Sequence, residues 1–388
     1  MDKIKILDSD LVIGDPLAWA VYGQEGHLLL NEGYILKTEN QKSVLLAKEL
    51  YRNPTVKEIE AEAIRAADRP IPEVSPFETL ASLKTNLRDI ILNIQNNIPA
   101  DYNRAILDLA GEIQNLSRSS NVDAALGALI LDQEALYIDL HPILCAILIE
   151  KLTKRRKIPG QDRLPFIAAA LTQNIGMWHE QDILSNQTTP LTDKQRKIIN
   201  EHPYKSREMM KAVGIDDKAW LDTILFHHER IDGKGYPKGL SGDEIPESAR
   251  ILALADIYSA MILPRQYRDG LYVKKALRDI FIQRGSMVDE NLAQMLIKEI
   301  GIYPPGAFVM LNNGEIAIVL KHNAKQANCP LVLSVINPRG LTYQIPRKRD
   351  TEQEQIFAIE KVVARPEVLK INLNQIWGIA ETPKETLI

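Results

Sequence analysis

Seven histidines occur in the 388 residues, and four of them, His141, His202, His227 and His228, share a central stretch with Asp256. Imidazole nitrogens and carboxylate oxygens are donors that bind first-row transition metals, and on separate helices of a bundle they can converge on one ion. Adjacent histidines on a helix point about 100° apart, so His227 and His228 can share an ion only at a helix end or through a favourable rotamer. His27, His179 and His322 stand apart and are expected to do nothing chemical. The two cysteines, Cys145 and Cys329, are distant in sequence, the first inside an apolar helical run. They give neither a disulfide framework nor a thiolate cluster, which fits a reducing compartment. The sequence shows no Walker-type phosphate loop, no nucleophile elbow and no dinucleotide fingerprint after a strand.

The elements that must position these residues can be read from periodicity and turn signals. Up to about Arg52, short runs such as LAWAVY and HLLL are broken by Gly14, Gly23, Gly26 and Gly33, as small strands with tight turns would be. Helical spacing follows in SVLLAKELY and EIEAEAIRAADR. Three prolines between Arg69 and Pro76 forbid a continuous helix and place a linker at 69–78. From there to about Ile300 apolar residues recur at i, i+3 and i+4, as in TLASLKTNLRDIILNI and ILCAILIEKL. Beyond Pro304-Pro-Gly306 the pattern alternates, and Asn312-Asn-Gly314 signals a hairpin. The expected fold is mainly α: a helical bundle at 79–300, a small β-rich module at 1–68 and a β-rich extension at 301–388.

Composition narrows the function classes. Apolar residues make up 45% and charged residues 25%, enough core material to exclude a disordered or fibrous chain. With 47 basic and 51 acidic residues the formal charge is −4, so no strongly basic face for DNA or a membrane surface is expected. No apolar run approaches the roughly 18–20 residues that span a bilayer, and MDKIKILDSD lacks the apolar core of a signal peptide. A cytoplasmic protein is the expectation.

The text around the histidines is more specific. His227-His-Glu-Arg-Ile-Asp-Gly-Lys-Gly-Tyr-Pro237 is followed by Ile245-Pro246 and by Ala249-Arg-Ile-Leu-Ala-Leu-Ala-Asp256. It resembles the HD-GYP family, cyclic di-GMP phosphodiesterases within the HD phosphohydrolase superfamily, over about residues 125–310. The resemblance implies an HD-type helical bundle. It implies metal ligation by His141, His202, His227, His228 and Asp256, and contacts to the nucleotide from Tyr236, Arg265 and Arg268.

One string departs from the family. Leu171-Thr-Gln-Asn-Ile-Gly-Met177 stands in register with the family's name-giving pair, and Gln173, Asn174 and Met177 occupy its His, Asp and Lys positions. Two divalent ions about 4 Å apart repel by roughly 17 kcal/mol at an effective dielectric near 20. An anionic bridge offsets this; the amide of Asn174 does not. The resemblance therefore implies a degenerate, catalytically dead or impaired member of a bacterial cyclic di-GMP signalling family. It would keep at most one divalent iron, manganese or zinc ion on the three later histidines, and no dinuclear centre. Its partners would be cyclic di-GMP and a signalling protein, and the apolar faces of 79–118 would suit a homodimer. The alternative is a metal-dependent cyclic di-GMP phosphodiesterase with a single-metal site, where Glu229 or Asp256 assists a water.

Overall fold

The computed structural model describes residues 4–24, 26–55, 75–263, 278–280, 282, 284–352 and 354–379, in two compact units, Met1–Pro72 and Glu73–Ile388. In the first, strands β1 (Ile4–Lys5), β2 (Val21–Gly23), β3 (Leu28–Leu30) and β4 (Leu50–Arg52) form an antiparallel sheet in the order β1-β4-β2-β3. Leu11, Leu17, Val21, Leu36 and Leu50 fill its core. Only the first half of SVLLAKELY is helical. Helix α1 (Glu39–Leu46) starts where the Thr38 side chain accepts from the Gln41 N–H, whereas Leu50 and Tyr51 pair with β2 and gain a buried strand environment that propensity alone cannot foresee. EIEAEAIRAADR and most of the Pro-rich segment 69–78 lie outside the described residues.

The second unit begins with α2 (Pro76–Gln95), α3 (Tyr102–Arg118) and α4 (Val122–Leu131). Its centre is α5 (Tyr137–Arg155), buried on every side from Tyr137 to Glu150; a helix apolar around its whole girth belongs inside a bundle. Packed around it are α6 (Gly160–Thr172), α7 (Trp178–Asn186), α8 (Asp193–Ala212), α9 (Lys218–Phe226), α10 (Glu247–Ile262) and α11 (Glu290–Ile300). Ala168, Ala169 and Ala170 let α6 sit close, and each is fully buried. Its buried cation Arg163 pairs with the Glu150 carboxylate of α5 at 2.8 Å.

The hairpin expected around Asn312-Asn-Gly314 is present. Strands β5 (Phe308–Leu311) and β6 (Ile316–Lys321) flank it, and Gly314 adopts φ +82°. With β7 (Leu331–Ile336), β8 (Thr342–Asp350) and β9 (Ile359–Val362) they form an antiparallel sheet in the order β8-β7-β6-β5-β9. This sheet is part of the same compact unit as the helices. Leu131 of α4 shares a core with Phe308, Ile318 and Ile376. Gly127 of α4 faces Gly306 so closely that a Cβ on Gly306 would lie 2.9 Å from the Gly127 backbone, and a Cβ on Gly127 would lie 2.3 Å from the Trp377 ring. His322 is not alone: its Nδ1 lies 3.1 Å from an oxygen of the buried Asp123 on α4.

Candidate functional site

The three later histidines come together. Donor atoms of His202, His227 and His228 lie within 4.8 Å of one another, and ring centroids of His227 and His228 are 4.1 Å apart. The helix end required for adjacent histidines to converge exists, because α9 stops at Phe226 and His227 is its C-terminal cap. His202 comes from the middle of α8.

Backbone carbonyls fix both imidazoles. His202 Nδ1 donates to the Ile199 carbonyl and His227 Nδ1 donates to the Ile224 carbonyl, each at 2.6 Å. The first of these carbonyls is free because residue 203 is a proline. In an α-helix the N–H of residue 203 would bond to the oxygen of residue 199, and proline has none. The second belongs to the last turn of α9, whose carbonyls lack helical donors. With both Nδ1 atoms protonated, the Nε2 lone pairs of His202 and His227 are left facing each other at 3.3 Å. Two acceptors at that distance repel unless a cation sits between or beside them, and an N–H given to a carbonyl is how metal-binding histidines are held. The donor set fits a divalent ion. Burial depresses the pKa of all three, His202 to about 3 with help from His227, and His227 and His228 in the same direction. They are therefore neutral ligands at pH 7.

The other half of the site is different. His141 Nε2 lies 3.2 Å from Asp256 Oδ1, joining α5 to α10. Asp256 is held far below the ordinary carboxylate range: burial opposes ionisation, but the His141 hydrogen bond and the neighbouring histidines outweigh it. Burial likewise opposes charge on His141, yet Cys145, Tyr137 and Asp256 raise its pKa well above normal. Cys145, which the sequence offers only as a core residue, places its sulfur 3.8 Å from His141 Nε2 and joins His141 and Asp256 in a second group of potential ligands. Its four-residue offset from His141 on a helix is the signal that could have found it.

Gln173 and Asn174 are buried at the end of α6, followed by the 3-10 turn Ile175–Met177. Both polar atoms of the Gln173 side chain and Oδ1 of Asn174 have no hydrogen-bond partner among the described residues. Unpartnered buried polar groups are costly and rare. The local backbone keeps its shape through Gly176, whose N–H donates to Ser206 Oγ at 3.0 Å and whose Cβ, if present, would lie 2.7 Å from the Ser206 nitrogen. Met177 is buried.

Loop residues 229–240 fold back onto His228, whose carbonyl accepts from the Tyr236 N–H at 3.2 Å. Glu229 is buried, and its carboxylate accepts from the backbone N–H groups of Lys238 at 2.7 Å and Leu240 at 3.0 Å. It ties the loop down through both of its oxygens. Asp232 accepts from the Arg230 side chain and the Lys234 N–H, as a turn former does. A Cβ on Gly235 would fall 2.4 Å from the Arg230 nitrogen, so only glycine fits. Tyr236 stacks on His228 with centroids 4.8 Å apart, one face already covered by the imidazole. Arg265 and Arg268 lie outside the described residues.

One helical bundle thus carries these histidines and the aspartate on α5, α8, α10 and the end of α9. The family model described as HD domain matches residues 119–292 of this chain. Its relatives carry the HD-GYP resemblance. The cyclic di-GMP phosphodiesterase PA4108 of Pseudomonas aeruginosa is 30% identical over 60% of this chain and 56% of its own length. The cyclic di-GMP phosphodiesterase PdeB of Borreliella burgdorferi is 26% identical over 52% of each. The chain thus spans about half the length of these curated relatives. A solved HDG"Y"P protein from Bdellovibrio bacteriovorus is 17% identical with a TM-score of 0.48, covering 76% of this chain and 98% of that one. No helix among the described residues is long and apolar enough to cross a membrane.

Proposed function

We propose that this protein is a degenerate cyclic di-GMP domain that binds the nucleotide as a sensor, holds a divalent ion on His202, His227 and His228, and hydrolyses the phosphodiester slowly or not at all. The observation that carries this reading is the pair of buried amides, Gln173 and Asn174, with unpartnered polar atoms where the family resemblance puts histidine and aspartate. The ligand class comes from the relatives, two of which are named cyclic di-GMP phosphodiesterases.

The chain's own residues explain why turnover would suffer. A bound divalent ion supplies a Lewis acid for a phosphoryl oxygen. Proton transfer must then fall to a carboxylate, and neither candidate is well placed. Glu229 is occupied by two backbone N–H groups, and Asp256, strongly acidified by its histidine neighbours, is a weak base. Met177 offers no positive charge to a phosphoryl group. The intact three-histidine group favours a second reading, a phosphodiesterase with a reduced metal site.

The two readings separate on cyclic di-GMP turnover and binding by purified protein under anaerobic conditions with added iron(II) or manganese(II), beside a His227→Ala control. Binding with intact nucleotide recovered is the expected result. Turnover that disappears in the control would establish the second reading and overturn the first.

A further inference from the structure

We infer that His141, Cys145 and Asp256 form a second metal position, one that uses a cysteine thiolate. This rests on the metal reading of the domain and adds a ligand that the HD-GYP motif does not contain.

The geometry comes first. His141 and Cys145 are four residues apart on α5 and so project from one face of it, while α10 brings Asp256 against that face. His141 Nε2 lies 3.2 Å from Asp256 Oδ1, and Cys145 Sγ flanks the same ring, 3.8 Å from Nε2 and 3.9 Å from Nδ1. A tetrahedral zinc-like ion with ordinary bond lengths needs N···O and N···S edges of about 3.4 and 3.6 Å. The N···O edge is already close to its value, and the thiol, which now flanks the ring, has to turn about its Cα–Cβ bond to reach an ion on Nε2, without rearrangement of either helix.

The environment comes second. Cys145 and His141 are 0% and 1% exposed, and the Asp256 side chain keeps 16% of its surface. Water competes poorly for the ion, while the carboxylate edge leaves a way in. An anionic donor is also what the departure at residue 174 removes. Asn174 is neutral, and its Oδ1 and both polar atoms of Gln173 are buried without partners among the described residues. Binding would form a sulfur–metal and a nitrogen–metal bond as the thiol and the His141 imidazolium each release a proton to solvent, so that an anionic donor comes from α5 rather than from the end of α6. A thiolate beside an imidazole and a carboxylate favours zinc or cobalt(II) over manganese or magnesium.

Cobalt(II) alone, titrated anaerobically into the full chain, tests this, because thiolate ligation gives a near-ultraviolet charge-transfer band that histidine and carboxylate ligands do not. Two equivalents should bind, and the band should saturate with one of them. Cys145→Ser and Cys145→Ala should lose the band and one equivalent, whereas His227→Ala should keep the band and lose the other equivalent. The His227→Ala protein remains decisive even where the Cys145 variants fail to fold, since one bound cobalt without the band overturns the proposal. So does a band that survives in a folded Cys145 variant, which would assign it to Cys329. A single equivalent with no band in the parent protein overturns the thiolate position and leaves the three-histidine position standing; no bound cobalt overturns both.

Discussion

The two halves of the site sit in one bundle but are held differently. The three-histidine half is preorganised by the backbone: two carbonyls orient His202 and His227, and Glu229 pins the 229–240 loop through Lys238 and Leu240. Its imidazoles are neutral and point their lone pairs inward. The half around His141 is held by side chains, an imidazole against a carboxylate and a thiol. Backbone-held donors survive substitution of their neighbours. Donors held by side chains depend on each neighbour's charge.

Acid should separate the halves most. His202 has a usual pKa of 6.5 and is lowered to about 3 in the fold, so the unfolded chain takes up a proton that the folded chain refuses. Stability present above pH 6.5 is lost as pH falls from 6.5 towards 3, by about 2 kcal/mol at pH 5 for such a histidine. His227 and His228 act in the same sense, and His141, whose pKa is raised, acts oppositely. Urea denaturation of metal-free protein should therefore show a net loss of stability between pH 7 and pH 5; a flat profile would remove the contrast.

Reversal of the changed string comes next. Restoring Gln173→His, Asn174→Asp and Met177→Lys together should raise cyclic di-GMP turnover about 100-fold, the scale of a recovered electrostatic contribution, as read by product formation with manganese(II). Glu229→Gln keeps the size of the loop anchor but removes its charge. It should lower stability by about 1–3 kcal/mol, measured as a drop in Tm, because two buried N–H groups lose a charged acceptor. The smallest effect belongs to Pro203→Ala. It supplies an N–H that competes with His202 for the Ile199 carbonyl, and should weaken zinc binding at the three-histidine position about tenfold by calorimetry.

Much of this arrangement was legible in the sequence. The helical region, the hairpin at Asn312-Asn-Gly314 and the convergence of His202, His227 and His228 follow from periodicity, a turn signal and a long motif. Three features were not. Tyr51 lies in a run with helical spacing and becomes strand because the sheet offers Leu50 a buried place. The anchoring role of Glu229 emerges only when the loop folds back and presents the N–H groups of residues 238 and 240 to it. Cys145 sits among leucines and isoleucines, and apolar neighbours conceal a donor whose partner, Asp256, is brought in by a helix more than a hundred residues later.

The contact between Gly127 and Gly306 bears on inheritance. Backbone meets backbone there: a methyl group on Gly306 would run into the Gly127 backbone, and one on Gly127 would run into the Trp377 ring. A C-terminal sheet of this kind cannot be exchanged for another, or moved onto a different helical domain, unless a glycine waits at the matching turn of the recipient's helix. The two positions are expected to change together across descendants of this gene. That would make the sheet a lineage-specific partner of its helical domain rather than a cassette shuffled among signalling proteins.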